Sequence, residues 1–498
     1  MAGIDAAAHS EFGFPEAVLM ENAGIRAYER TVGILGERRN IVFVAGSGNN
    51  GGDGLVMARQ CLNEGGRPVV ILLKADPGGL CGKHARVCRT LGIPIHVWSD
   101  DAAACRRNIH AADGIVDGIT GTGLSGSLRP PAARVVEAIA DAPGRIFAID
   151  APSGIGDAYE HGMPAVRADV TLTIELPKRS LYLPYARPFC GRIEIVSVGF
   201  PARLTDDPDN RAVLLEESDL DQLLPVVSAD AYKTSRGWVG VFAGSPGTTG
   251  AALLTAEAAA RSRAGLVSLY AAPDIFGIVA GMMRSVMPKP WEPESDPATF
   301  DLAHLSSLVV GPGWGIRNRM PWLRMLIGSG LPGVLDADGI TLLSRADPIP
   351  DLGGRWVLTP HPGEFARLSG LSKDEILGDP AATGMEWARR LGCILVLKGH
   401  VTYICSPDGS YAAVDGMNPA MGTAGSGDLL AGIIGGLMAA GADPEQAARV
   451  GVLLHAKAGR TAFARRGWFL SEDLLPFISK AASTRPSAEN RGENRGDE

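Results

Sequence analysis

Short apolar runs punctuated by glycine turns recur along most of the chain. In the first half they are Asn40-Ile-Val-Phe-Val-Ala45, Gly114-Ile-Val-Asp117 and Arg145-Ile-Phe-Ala-Ile-Asp150. Their residues do not alternate apolar with polar, as expected of strands covered on both faces. Residues 14–36 show helical spacing instead, and Ile193 to Phe200 reads as the strand that closes this half. Pro201 to Asn210 is polar, acidic and proline-bearing, so it reads as a linker, and Val213 to Pro225 as a short lead helix. The runs then resume as Trp238–Ala243, Gly265–Tyr270, Leu308–Val310, Gly333–Asp336, Trp356–Leu358 and Ile394–Leu397, with Ala-rich helical patterns between them. Leu429 to Ala440 is apolar on every side and reads as a buried helix. Strands alternating with helices predict an α/β fold with mostly parallel sheets and covering helices, an α/β/α sandwich in each half. The expected division is a domain over 1–203, a linker over 204–211, a domain over 212–482 and a disordered tail over 483–498.

Composition narrows the class. A chain of 498 residues exceeds what one core of roughly 250–300 residues holds. With 20% charged residues and a net charge of −8 there is no basic excess to draw nucleic acid or an anionic membrane. Leu429 to Ala440 falls short of the ~20 residues of a membrane span, and the N-terminus has no basic start followed by an apolar run. Seven cysteines, an odd number without a CxxC pair, point to unpaired thiols in a reducing cytoplasm. A cytoplasmic homo-oligomer acting on small molecules is the expectation.

The chemistry gathers at strand ends, where open parallel sheets hold their ligands. After Ala45 comes Gly46-Ser-Gly-Asn-Asn-Gly-Gly-Asp-Gly54, which satisfies the spacing of a dinucleotide fingerprint. Asp53 argues against a pyrophosphate there, whereas amide oxygens and a carboxylate suit a hard monovalent cation beside a sugar or phosphate edge. Asp117 and Asp150 end two further runs, each before a glycine or serine turn. A lone strand-end Asp usually caps the next helix; three such ends favour a site. In the second half, Gly422, Gly425 and Gly427 lead into the buried helix with Asp428 at its mouth. Glycine N–H groups at a helix N-terminus hold anions. Asp428 is then a helix cap, or the base that takes a hydroxyl proton in phosphoryl transfer. His361, framed by prolines, is on residue type a structural histidine, and Lys398 follows the Ile394–Leu397 run beside a glycine. No Walker motif and no Cys/His ligand cluster occurs.

Gly425-Ser-Gly-Asp428 followed by Leu-Leu-Ala-Gly resembles the anion-hole motif of ribokinase-like proteins. The fuller run from Asn418 to Asp428 resembles the ADP/ATP-dependent NAD(P)H-hydrate dehydratases. Leu19-Met-Glu-Asn-Ala-Gly24 and Asn49 to Gly54 resemble NAD(P)H-hydrate epimerases. The whole chain, apart from its last residues, is similar to the bifunctional NAD(P)H-hydrate repair enzymes. The resemblance implies a Rossmann-like first domain and a ribokinase-like second. It implies that Asn50, Asp117 and Ser153 hold K+. It also implies that Asn49, Asn50, Gly51, Gly52, Asp53, Gly121, Thr122, Gly123, Leu124, Ser125, Gly126, Ser127 and Asp150 contact the hydrated nucleotide. Asp150 is the candidate for proton transfer, with Lys178 as an electrostatic helper.

In the second domain the resemblance implies substrate contacts from Ala251, Ala252, Gly313, His361 and Asp428. Lys398, Gly399, His400, Val401, Thr402 and Gly427 would hold ADP or ATP with Mg2+. The implied activity is epimerisation of R and S hydrates of NADH and NADPH, then nucleotide-driven dehydration of the S epimer. Two departures, Tyr232 where the family has His and Trp314 where it has Leu, are expected at the pocket rim. The N-terminal lead is also shorter than usual. The competing reading is a ribokinase-like kinase of a small alcohol with a non-catalytic binding module in front.

Overall fold

The structure, a computed structural model, describes residues 2–205 and 210–483. Residues 206–209 of the expected linker and 484–498 of the expected tail lie outside the described residues. The chain divides into two units, Met1–Asn210 and Arg211–Glu498.

In the first unit β1 (Asn40–Ala45), β2 (Arg67–Leu72), β3 (Ile95–Val97), β4 (Gly114–Gly118), β5 (Arg145–Ile149), β6 (Val170–Ile174) and β7 (Arg192–Val196) form one sheet in the order β3-β2-β1-β4-β5-β6-β7. Every pairing is parallel. The apolar runs lie at its centre: Ile41 to Ala45, Ile115, Val116 and Phe147 to Ile149 are all buried. Strand order reverses between β1 and β4, so the crevice beyond their carboxyl ends is the natural ligand position. The opening helix runs Glu16–Leu35, inside the expected span.

Two local expectations need correction. The glycine run after β1 is not a loop, because a helix begins at Asn49 and continues to Asn63. Gly51 is required there by close approach, since a Cβ would stand 2.2 Å from the Gly46 carbonyl oxygen. The closing strand is also shorter, Arg192–Val196, with Phe200 packed beyond it against Ala23 and Val198.

The second unit holds a ten-stranded sheet. Its strands are β8 (Ala212–Leu214), β9 (Trp238–Phe242), β10 (Leu266–Ala271), β11 (Met287–Pro290), β12 (Ser307–Val310), β13 (Gly333–Leu335), β14 (Trp356–Leu358), β15 (Ile394–Leu397), β16 (Val401–Cys405) and β17 (Tyr411–Asp415). Their order is β11-β10-β9-β12-β13-β14-β15-β16-β17-β8, parallel except where β16 pairs antiparallel with β15 and β17. The expected lead helix over Val213 to Pro225 is instead β8 paired with β17, followed by one short turn of helix at Leu220–Leu223. Pairing across the sheet overrides the local helical spacing. The β16–β17 hairpin was not anticipated, although Asp408-Gly409 between two apolar runs is its turn signal.

The buried helix Ser426–Ala439 crosses the middle of this unit. It is apolar all round because it is covered all round. A Cβ on Gly432 would lie 2.2 Å from the Thr255 carbonyl oxygen, and one on Gly435 2.2 Å from Val309 Cγ2. Helix Thr249–Arg261 on one side and β12 on another thus reach its backbone.

Candidate active sites

In the first unit β1, β4 and β5 are neighbours, so residues following or ending them share one edge. The Asn50 amide Nδ2 donates to the carbonyls of Thr120 at 2.9 Å and Ile149 at 2.8 Å, tying the helix start to the other two strand ends. Asp117 is wholly buried. Its Oδ1 accepts from Ser153 Oγ at 2.5 Å and Ile119 N at 3.2 Å, and its Oδ2 from Ser153 N at 2.8 Å. Burial pushes its carboxyl up to about 6, against the opposing pull of these donors. All of those donors are neutral.

Asp150 adopts φ 64°, a left-handed conformation that Asp tolerates better than most side chains. Lys178 Nζ lies 2.6 Å from its Oδ1 and also donates to the Ile174 carbonyl, while Thr122 Oγ1 donates to Oδ2 at 3.3 Å. Gly121 lies against the Asn50 side chain. The structure therefore joins Asn50, Asp117, Ser153, Gly121, Thr122, Asp150 and Lys178 in one cluster. Gly51, Gly52 and Asp53 are buried in the helix beside it, whereas Gly123 and Ser125 to Ser127 are exposed on the following loop.

In the second unit a cavity of about 620 Å³ opens over the ends of β13, β14 and β15. Of the residues expected from the sequence, His361, Lys398, Gly399, His400, Thr402, Gly427 and Asp428 line it. Val401 begins β16 and is buried. Gly425, at φ 90°, is the N-cap of the Ser426–Ala439 helix and offers no side chain to close it. The first helical N–H groups have no partner within the helix and face a ligand position. Lys398 reaches this turn: a Cβ on Gly427 would stand 3.1 Å from its Nζ. That ammonium forms an ion pair with Asp336 Oδ1 at 2.8 Å. Burial works against its charge, but Asp336, Glu364 and Asp428 outweigh this and hold it above the ordinary lysine range.

Asp428 is pushed up to about 6, first by burial and then by Asp336; Lys398 opposes the rise, while Glu364 and Asp338 add to it. A carboxylate near neutrality in a cavity is poised to exchange a proton. His361 has a structural task as well: its Nδ1 accepts from Gly363 N at 2.9 Å, and Glu364 closes the capping box by accepting from His361 N at 2.9 Å. Nδ1 being an acceptor, the neutral ring carries its proton on Nε2.

Ala251, Ala252 and Gly313 do not line this cavity. They lie where strand order reverses between β9 and β12; Ala252 is wholly buried, and Gly313 accepts Thr248 Oγ1 at 2.7 Å. Asp338 links the two places, accepting Gly315 N at 2.8 Å while its charge acts on Asp428. Neither departure sits at the rim of the cavity. Trp314 is fully buried, stacked on Trp291 at 5.4 Å under the Arg319 guanidinium, and Tyr232 is exposed and does not line the cavity. Sequence reasoning noticed Asp336 only as a strand end and Asn418 and Ser426 only as members of the motif run, and it missed His455; all four line the cavity.

Residues 239–480 match the family model described as NAD(P)H-hydrate dehydratase, and residues 16–180 that described as YjeF-related protein N-terminus. The bifunctional NAD(P)H-hydrate repair enzyme Nnr of Moorella thermoacetica is 35% identical, covering 96% of this chain and 94% of its own length. The enzyme of the same name from Coxiella burnetii is also 35% identical, over 94% and 95%. Among solved structures, the ADP/ATP-dependent NAD(P)H-hydrate dehydratase of Bacillus subtilis, co-crystallised with ATP/Mg2+, aligns with a TM-score of 0.50 at 26% identity. It covers 54% of this chain and 97% of its own.

Proposed function

This chain belongs to the bifunctional NAD(P)H-hydrate repair enzymes, an epimerase and an ADP- or ATP-dependent dehydratase in one polypeptide, and on that premise we propose which of its residues carry each step. A kinase with an inert front module would not explain relatives of this activity matched along nearly the whole chain.

In the first unit we assign the hydrated nicotinamide ring to the crevice beside Asp150. Its carboxylate moves the proton that epimerisation requires, and Lys178 steadies the charge at 2.6 Å. Thr122 fixes the second carboxylate oxygen. K+ suits Asn50, Asp117 and Ser153, because Asp117 is a buried carboxylate whose hydrogen-bond donors are all neutral. A bound monovalent cation would supply its counter-charge and brace the three strand ends around the substrate.

In the second unit the cavity takes the nucleotide, with Gly399, His400 and Thr402 along one side and the Gly427 turn at the phosphate end. Mg2+ is assigned as the nucleotide's own counter-ion, as in the ATP/Mg2+ form of the Bacillus subtilis relative. It would neutralise phosphate charge during transfer. Asp428 accepts the proton of the ring hydroxyl as that oxygen attacks the terminal phosphorus, and the nucleotide leaves one phosphate shorter. Helix N–H groups and Lys398 hold the charge that develops. The phosphate ester then departs as the neighbouring ring carbon loses a proton, restoring the double bond. Hydroxide leaves poorly and phosphate well, which is why repair consumes a nucleotide.

The observation that carries this reading is Asp428 at the mouth of an anion-holding helix: it is half-buried in the cavity wall, its carboxyl pushed up to about 6, with Lys398 beside it. Asp428→Asn keeps the size of the side chain but accepts no proton. Turnover is expected to fall by roughly 10²–10⁴-fold while ADP still raises the melting temperature. Wild-type turnover is expected to fall as pH drops through about 6, where Asp428 becomes protonated. A variant keeping more than about a tenth of wild-type turnover shows that Asp428 is not the base.

A further inference from the structure

His455 stands on helix Pro444–Arg466, far in sequence from the glycine turn, yet it lines the same cavity. Its Nε2 lies 3.1 Å from Ser426 Oγ, and Ser426 is the first residue of the helix that begins at the anion-holding turn. The two helices are held at fixed separation, since a Cβ on Gly451 would meet Ile434 Cγ1 at 2.5 Å. Burial, with Lys398 adding to it, holds the ring down to about 4, so it is neutral where the enzyme works.

A neutral imidazole and a hydroxyl share one hydrogen bond in one of two directions. If Nε2 accepts, the serine proton points away from any phosphate, and oxygen lone pairs face the anion. If Nε2–H donates, the serine O–H is released to donate elsewhere, and an incoming phosphate selects that arrangement. We propose that the Ser426 hydroxyl is a further donor to the transferring phosphoryl group, beside the helix N–H groups, and that His455 is the positioning residue that sets its direction. This rests on assigning the phosphoryl donor to this cavity.

The test is calorimetric titration of the full chain with ADP and with AMP, which lacks the terminal phosphate. Wild type is expected to bind ADP more tightly than AMP. Ser426→Ala and His455→Leu are each expected to cut that ADP:AMP ratio about tenfold, the low end for a hydrogen bond to a charged group. His455→Gln, whose amide can donate from a similar place, is expected to restore most of the ratio. A merely structural role lowers both affinities equally and leaves the ratio unchanged, and that result in Ser426→Ala overturns the inference. A wild type without preference for ADP overturns instead the assignment of the donor to the cavity, and the inference with it.

Discussion

Asp117 and Asp428 are both raised to about 6, and by the same leading cause, yet the surroundings give them different work. Asp428 faces a cavity with other carboxylates and a lysine near it, whereas Asp117 is sealed among neutral donors. A carboxyl whose folded value exceeds its unfolded one contributes stability below the unfolded value and loses it as pH rises through the folded one. For Asp117, from 3.8 to about 6, that loss is on the order of 3 kcal/mol. In K+-free buffer the melting temperature of the first unit should therefore fall between pH 4 and pH 7 (roughly the span of these two values), and added K+ should largely remove the fall. Asp117→Ala should show neither effect. A K+-independent profile in the wild type would refute the cation assignment. Asp428, Lys398 and His361 were legible because each sits in a compact motif, Asp428 at a helix mouth and the other two just after a strand. His455 was not, because a lone histidine in an Ala-rich helix carries no local sign of what the fold sets against it.

At the scale of elements, the strands were readable because burial on both faces demands unbroken apolar runs. The helix at Asn49 was not, since three glycines in its first turns read as a loop. Tertiary approach explains them: each of Gly51 and Gly52 has a neighbour within 2.5 Å of where its Cβ would be. The same principle makes a paired prediction in the second unit. Gly432→Ala drives a methyl into the Thr255 carbonyl and should destabilise by about 1–3 kcal/mol. Gly277→Ala, in helix Pro273–Met282 with nothing within 4 Å, should stabilise by about 0.5–1 kcal/mol. Chemical denaturation of both variants checks the sign, and equal effects would contradict the packing of helix Ser426–Ala439.

For the whole molecule, each unit has its own sheet and its own core clusters. Fragments 1–205 and 210–498 should each be soluble and cooperatively folded, the first epimerising and the second dehydrating. The second begins at residue 210 so that Arg211 keeps its bonds to Asp408 and Tyr411. Circular dichroism melts of the separate pieces decide this, and a fragment without a cooperative transition would show that the units depend on each other.

The division of labour between the two sites is tested most directly by supplying ADP and a mixture of R and S hydrates of NADH, and following the return of reduced-nicotinamide absorbance. Wild type should consume both epimers in one continuous course. Asp150→Asn should match its initial rate and then slow sharply once the S epimer is spent, and adding the Asp428→Asn chain, whose epimerase site is intact, should restore the full course. Asp150→Asn running to completion at the wild-type pace would contradict the account.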